Sequence, residues 1–287
     1  MISFLIPSRR LQSTFSRIGY LQQPLIPPPA AASLLVKPLT PLVETGMNTF
    51  DYQPDSSFLL YTQDKRGAVA GHVEEICQIG IKCQSQVVRI ILTSRSGTAP
   101  TQIPLNTTLV GKFFDPDRVL DDEDHGFNTT GEGKADLLFS TEFAVYRDRV
   151  SLLPEKLTPT FHGAFLLNMG KPIHVILMEY MNPDTWTILD DCPRDLGPAL
   201  LDFIWKKMEV LHNKANFYID DISTKNIFVK LKDRKVLGVI FIDFAQVVFE
   251  PGEQALPTPR HDYAINREGR REELITKLRD AKFRLPN

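Results

Sequence analysis

Residues 218–246 read YIDDISTKNIFVKLKDRKVLGVIFIDFAQ, and they restrict what this chain can fold into more tightly than any other stretch. Ile227, Phe228 and Val229 start one apolar, β-branched run, and Val239, Ile240, Phe241 and Ile242 form a second. The polar turn Lys232, Asp233, Arg234 lies between them, which is the pattern of a β-hairpin. Asp221 and Asn226 stand five positions apart ahead of the first run, and Asp243 ends the second. Such a hairpin fixes Asn226 at the entry of one strand and aims Asp243 out of the end of the next. Two oxygen-bearing side chains and one loop-borne acid are thereby brought into a single loop–strand–strand unit.

The upstream half predicts strands with one long helix among them. Residues 75–82 and 87–93, the latter VVRIILT, have the composition of buried strands, and 95–104 read as the loop that follows. Phe58, Leu59, Leu60 and Tyr61 form a short strand or an anchoring turn. A third strand over residues 108–114 turns Lys112 to the same side as Val110 and Phe114. A lysine on an apolar face requires an anion, because an unpaired buried ammonium costs several kcal/mol. The helix predicted over residues 134–151 offers one: Glu142 falls on the same stripe as Leu138 and Tyr146. Pro154 and Pro159 end that region, and 162–167 and 174–181 supply two further strands, making five with one helix after the third. Between strand and helix, Asp115, Asp117, Asp121, Asp122, Glu123 and Asp124 read as a solvated, mobile acidic loop without calcium-loop spacing.

The downstream half predicts a core helix over residues 195–213, with Asp195 as its capping acid and an apolar stripe interrupted by Lys207. A second helix is expected over residues 267–282. Forty-four residues follow Asp243, including a Pro- and Gly-rich piece at 251–259, which leaves room for a small second lobe.

Lys112 in VGKFFDP, Glu142 in TEFAVY, the segment MEYM, DISTKN and IDFA resemble, in order, the motifs of the protein kinase-like superfamily. They are most similar to divergent fungal kinase-like proteins that share features with aminoglycoside and choline phosphotransferases. The resemblance spans about residues 70–250. It implies an α+β, two-lobed protein kinase-like fold with a five-stranded N-lobe sheet carrying one helix and a reduced, mainly helical C-lobe. The expected division is a disordered or transit-like segment at 1–50, the N-lobe at 51–181 and the C-lobe at 182–287. By the same resemblance, Lys112 holds the α and β phosphates of ATP, Glu142 positions Lys112, and Met178, Glu179, Tyr180 and Met181 line the adenine pocket through their backbone. Asp221 is the base, and Asn226 and Asp243 bind Mg²⁺. The expected activity is transfer of the γ-phosphate to a hydroxyl of a small molecule or a protein; the alternative is a pseudokinase that binds nucleotide or acts as a scaffold.

Departures accompany the likeness. Ile219 stands where the family has a histidine, Asp220 doubles the catalytic acid, and Ser223 replaces the catalytic-loop lysine of protein kinases. Ala245 replaces the glycine after the metal-binding acid, and no GxGxxG occurs in the first strands.

Composition sets the remaining boundaries. A net charge of −2 over 287 residues gives no electrostatic basis for a nucleic-acid or membrane partner. No apolar run approaches the roughly 18 residues of a membrane span. Three cysteines, Cys77, Cys83 and Cys192, are too few and too dispersed for a disulfide framework, which points to reduced thiols and an intracellular, cytoplasmic protein. Residues 1–43 contain no acid and four basic side chains, so a mitochondrial transit peptide and a disordered tail both remain open.

Overall fold

The alternation VVRIILT places Val88, Ile90 and Leu92 on one face of a strand, and in the computed structural model that face is the inside of a closed barrel. The structure describes residues 52–78, 85–118, 131–220, 222–249 and 267–285, so the segment expected at residues 1–50 lies outside it. The described barrel strands are β1 (Ser57–Thr62), β2 (Gly67–Gln78), β3 (Gln86–Gly97), β4 (Thr108–Phe114), β5 (Phe161–Met169) and β6 (Lys171–Glu179). All neighbours are antiparallel in the order β1-β2-β3-β4-β6-β5, and β5 returns to pair with β1. The expected five-stranded sheet is therefore corrected to six strands. Residues 58–61 belong to a full strand because β2 begins at Gly67, earlier than composition indicated, and gives β1 a partner from Ser57 to Tyr61. Gly170 makes the tight β5–β6 turn at φ +87°, a conformation that costs a side-chain-bearing residue energy.

Leu60, Val69, Phe113, Phe165, Val175 and Leu177 fill the barrel. Along β4 the pleat sends Leu109 and Phe113 into this interior, while Val110, Lys112 and Phe114 face outward. Phe114 packs there on α1 (Gly131–Ala144), its ring 5.7 Å from that of Phe139. The chain stays helical past α1, through a π-helical turn at Val145–Arg149 and a 3₁₀ turn at Val150–Leu152. A second hydrophobic core continues from this outward face into the remaining elements.

Those elements are β7 (Thr187–Ile188), α2 (Gly197–Ala215), β8 (Phe217–Ile219), β9 (Ile227–Lys232), β10 (Lys235–Phe241), β11 (Val247–Phe249) and α3 (Arg267–Asp280). Helix and strand are mixed here, with the sheets β10-β9-β7 and β11-β8 beside α2 and α3. The predicted β9–β10 hairpin turns on Asp233 and Arg234, both at positive φ, which matches a two-residue turn to strand twist. Asp195 does not cap α2: the helix starts two residues later without a side-chain cap, and Asp195 instead pairs with Arg234. Asn216, left-handed at φ 54°, ends α2 with its N–H bonded to the His212 carbonyl. Lys207 leaves the apolar stripe to bind both carboxylate oxygens of Glu155 at 2.6 Å.

The fold is thus mixed α+β, with a large antiparallel sheet and few helices. Among the described residues no helix is long and apolar enough to cross a membrane.

Candidate active site

Lys112 Nζ sits 2.5 Å from Glu142 Oε2 on α1 and 2.5 Å from Asp243 Oδ1 at the exit of β10. Asn226 Nδ2 donates to the other Asp243 oxygen, Oδ2, at 3.4 Å. Four of the residues singled out from sequence thus meet at one point, supplied by β4, α1, the 3₁₀ turn Thr224–Asn226 and the segment after β10. Each is placed by local structure. The β4 pleat aims Lys112 outward, and the helical stripe turns Glu142 to meet it. Asn226 is held through its main chain, its N–H donating to the Ser223 carbonyl and its carbonyl accepting from Ile242, each at 3.0 Å. Asp243 adopts φ +65°, a left-handed conformation that aspartate tolerates better than most residues and that is found at functional sites.

The cluster is graded in exposure. The Glu142 side chain is 0% exposed, that of Lys112 6% and that of Asp243 37%, so of these three charged groups Asp243 is the one open to a ligand. Burial pushes the Glu142 carboxyl up to about 7; Lys112 opposes this and the Asp243 charge adds to it. Burial pulls the Lys112 ammonium down, but Asp243 and Glu142 more than offset that and leave it above its ordinary value. The Phe244 amide favours the ionised form of Glu142, while among the described residues Glu142 Oε1 itself accepts no hydrogen bond.

A ladder of aromatic rings adjoins the cluster. Tyr146, in the π-helical turn, stacks on Phe161 at 5.4 Å and meets Phe244 edge-on at 5.6 Å, and Phe244 meets Phe217 edge-on at 5.6 Å. Burial, with Glu142 and Asp243 nearby, holds the Tyr146 phenol well above its ordinary value, and its hydroxyl donates to Met178 Sδ at 3.9 Å. The residue after Asp243 is thereby locked between the barrel side of the molecule and β8. Sequence reasoning missed this role of Phe244, although its place beside the acid was visible.

The remaining predicted residues fall as follows. Met178 and Met181 are buried, Met178 against the second core. Glu179 turns its carboxylate to Lys156 and to the Thr160 amide and hydroxyl, at 2.5, 2.9 and 2.8 Å, and its own N–H donates to the Thr160 carbonyl. The Tyr180 ring lies under the Arg89 guanidinium, 5.0 Å away. Asp221 lies outside the described residues. Its neighbour Asp220 is engaged: Arg270 of α3 donates to its carboxylate at 2.6 Å and to its carbonyl at 3.0 Å. Arg270 is a second residue that sequence reasoning missed. The acidic run is corrected in part, since Asp115 is buried and accepts from the Tyr52 hydroxyl at 3.0 Å, while 119–130 lie outside the described residues.

Among the described residues no group of three or more His, Cys, Asp or Glu side chains could hold a metal. Asn226 and Asp243 supply carbonyl and carboxylate oxygens of the hard type that suits magnesium. Two such ligands leave the rest of a magnesium shell to water or to a ligand's oxygens.

No protein-family model matches the chain, and no curated protein does. Among solved structures, the 2.2 Å crystal structure of WbdD is similar over 74% of this chain and 38% of that one, with 14% identity and a TM-score of 0.43. The chain thus spans little more than a third of the length of that WbdD chain.

Proposed function

We propose that the chain is an ATP- and magnesium-dependent phosphotransferase of the protein kinase-like superfamily. On this reading the barrel with α1 is the N-lobe and the elements from β7 onward are the C-lobe. The observation that carries the reading is the Lys112–Glu142–Asp243–Asn226 cluster. Its members lie up to 131 positions apart in sequence, and each belongs to one of the motifs that carry the resemblance. Phosphoryl transfer asks a protein mainly for positioning and for charge near the phosphates, and this cluster offers both.

Lys112, kept charged by Glu142, exchanges its contact with Asp243 for the α and β phosphates. Asn226 and Asp243 would hold Mg²⁺, which would supply positive charge beside the phosphates. The backbone of residues 178–181 receives the adenine. Asp221 takes the proton of the acceptor hydroxyl as that oxygen bonds to the γ-phosphorus and the bond to the β–γ bridging oxygen breaks, releasing ADP. With Asp220 committed to Arg270, this reading gives the role of base to Asp221.

The test is a thermal shift with ATP, with and without Mg²⁺, on the wild type and Asp243→Asn. A magnesium-dependent shift in the wild type and none in the variant is expected; no shift in either overturns the reading. One observation favours a second reading, a nucleotide-binding or scaffold module without turnover: Ile219 packs against the apolar core where the superfamily has a histidine. A magnesium-dependent shift without phosphate transfer selects that alternative.

A further inference from the structure

Outside the cluster, a partly buried ion pair joins α3 to the loop that leads to Asn226. The Arg270 guanidinium is 16% exposed and the Asp220 carboxylate 18%, and their contact runs from Nη2 to Oδ1 at 2.6 Å. Nη1 of the same group donates to the Asp220 carbonyl and to Glu273 Oε2, both at 3.0 Å. The Asp220 N–H donates to the Gln246 carbonyl at 3.0 Å, three residues beyond Asp243. Both main-chain polar groups of Asp220 are therefore held, one by a helix distant in sequence and the other by the segment bearing the candidate metal ligand. The helix behind Arg270 is firmly seated: Leu274 and Leu278 are fully buried, and after its end the Arg284 amide donates to the Arg194 carbonyl.

A surface ion pair contributes little, but a planar guanidinium that satisfies a carboxylate and a carbonyl in a mostly buried site fixes backbone geometry. Phosphoryl transfer is sensitive to such geometry, since displacements near 1 Å cost about 100-fold in rate. We propose that Arg270 is a positioning residue for phosphoryl transfer. Through Asp220 and Gln246, α3 sets the relative placement of the Asn226 loop and the Asp243 segment. This proposal rests on the phosphotransferase reading above.

The test uses the full chain, MgATP turnover and amide hydrogen exchange on the wild type, Arg270→Gln and Arg270→Lys. In Arg270→Gln, kcat is expected to fall at least tenfold with the KM for MgATP within twofold of wild type. Exchange is expected to rise in residues 218–226 and 243–249 and to stay unchanged in β4 and α1. Arg270→Lys is expected to resemble Arg270→Gln, because an ammonium does not span carboxylate and carbonyl together. Unchanged exchange in 218–226, a rise that extends to β4 and α1, or full activity in Arg270→Lys overturns the proposal. A wild type without turnover refutes the phosphotransferase reading instead, and the exchange pattern alone then decides whether Arg270 orders this segment.

Discussion

Glu142 and Lys112 meet at 2.5 Å with a side-chain exposure of 0% for one and 6% for the other, so a complete ion pair is enclosed where α1 crosses β4. Burying the pair costs desolvation of both ions, and at Glu142 the attraction of Lys112 offsets that cost only in part.

The first prediction concerns pH. Burial raises the Glu142 carboxyl from 4.5 to about 7. Below pH 4.5 the folded and unfolded chains both hold this proton. Between 4.5 and about 7 only the folded chain does, so stability falls as pH rises through that window, by on the order of a few kcal/mol. Glu142→Gln removes this contribution. Chemical denaturation of wild type and variant from pH 4 to 8 is expected to show a difference that grows through the window and levels off above it.

The second concerns the pair as a unit. Lys112→Met leaves Glu142 buried without its cation and is expected to cost about 3–5 kcal/mol. Lys112→Met with Glu142→Leu replaces both charges by apolar groups and is expected to recover most of that loss, because the half-exposed Asp243 carboxylate is left to solvent. Urea titrations of the single and double variants give the coupling directly.

The third concerns the aromatic ladder. Phe244 is fully buried between Tyr146 and Phe217. Phe244→Ala is expected to destabilise the fold by about 3–5 kcal/mol. Phe244→Leu, closer in volume, should lose less stability yet still loosen the adjacent Asp243. In a thermal-shift titration Phe244→Leu would then show a weaker response to MgATP than its melting temperature alone accounts for.

Local periodicity explains which parts of this arrangement could be read in advance. Lys112 was legible because two-residue alternation puts it on the face of Val110 and Phe114, and Glu142 because a helical stripe puts it beside Tyr146. The hairpin carrying Asn226 and Asp243 was legible from its turn and its β-branched runs. Asp115, Asp195 and Asp220 were not, because their partners Tyr52, Arg234 and Arg270 lie 63, 39 and 50 positions away and carry no periodic signal. The sixth strand escaped for a related reason: β1 is short, and its role depends on β2 and β5 returning to both its sides.

That closure also governs how the barrel meets other polypeptides. An open sheet presents a row of unpaired amides and carbonyls onto which a foreign strand can add, with aggregation as the accompanying hazard. Here every barrel strand has two neighbours, and the narrowest junction is the seam between β1 and β5, joined over Leu60, Tyr61 and Thr62. Among the described residues no barrel strand offers a whole open edge for strand addition. Recruitment of a partner strand along the full length of β1 or β5 would first require that three-residue seam to part, which makes the seam the point at which this half of the molecule is guarded against unwanted self-association.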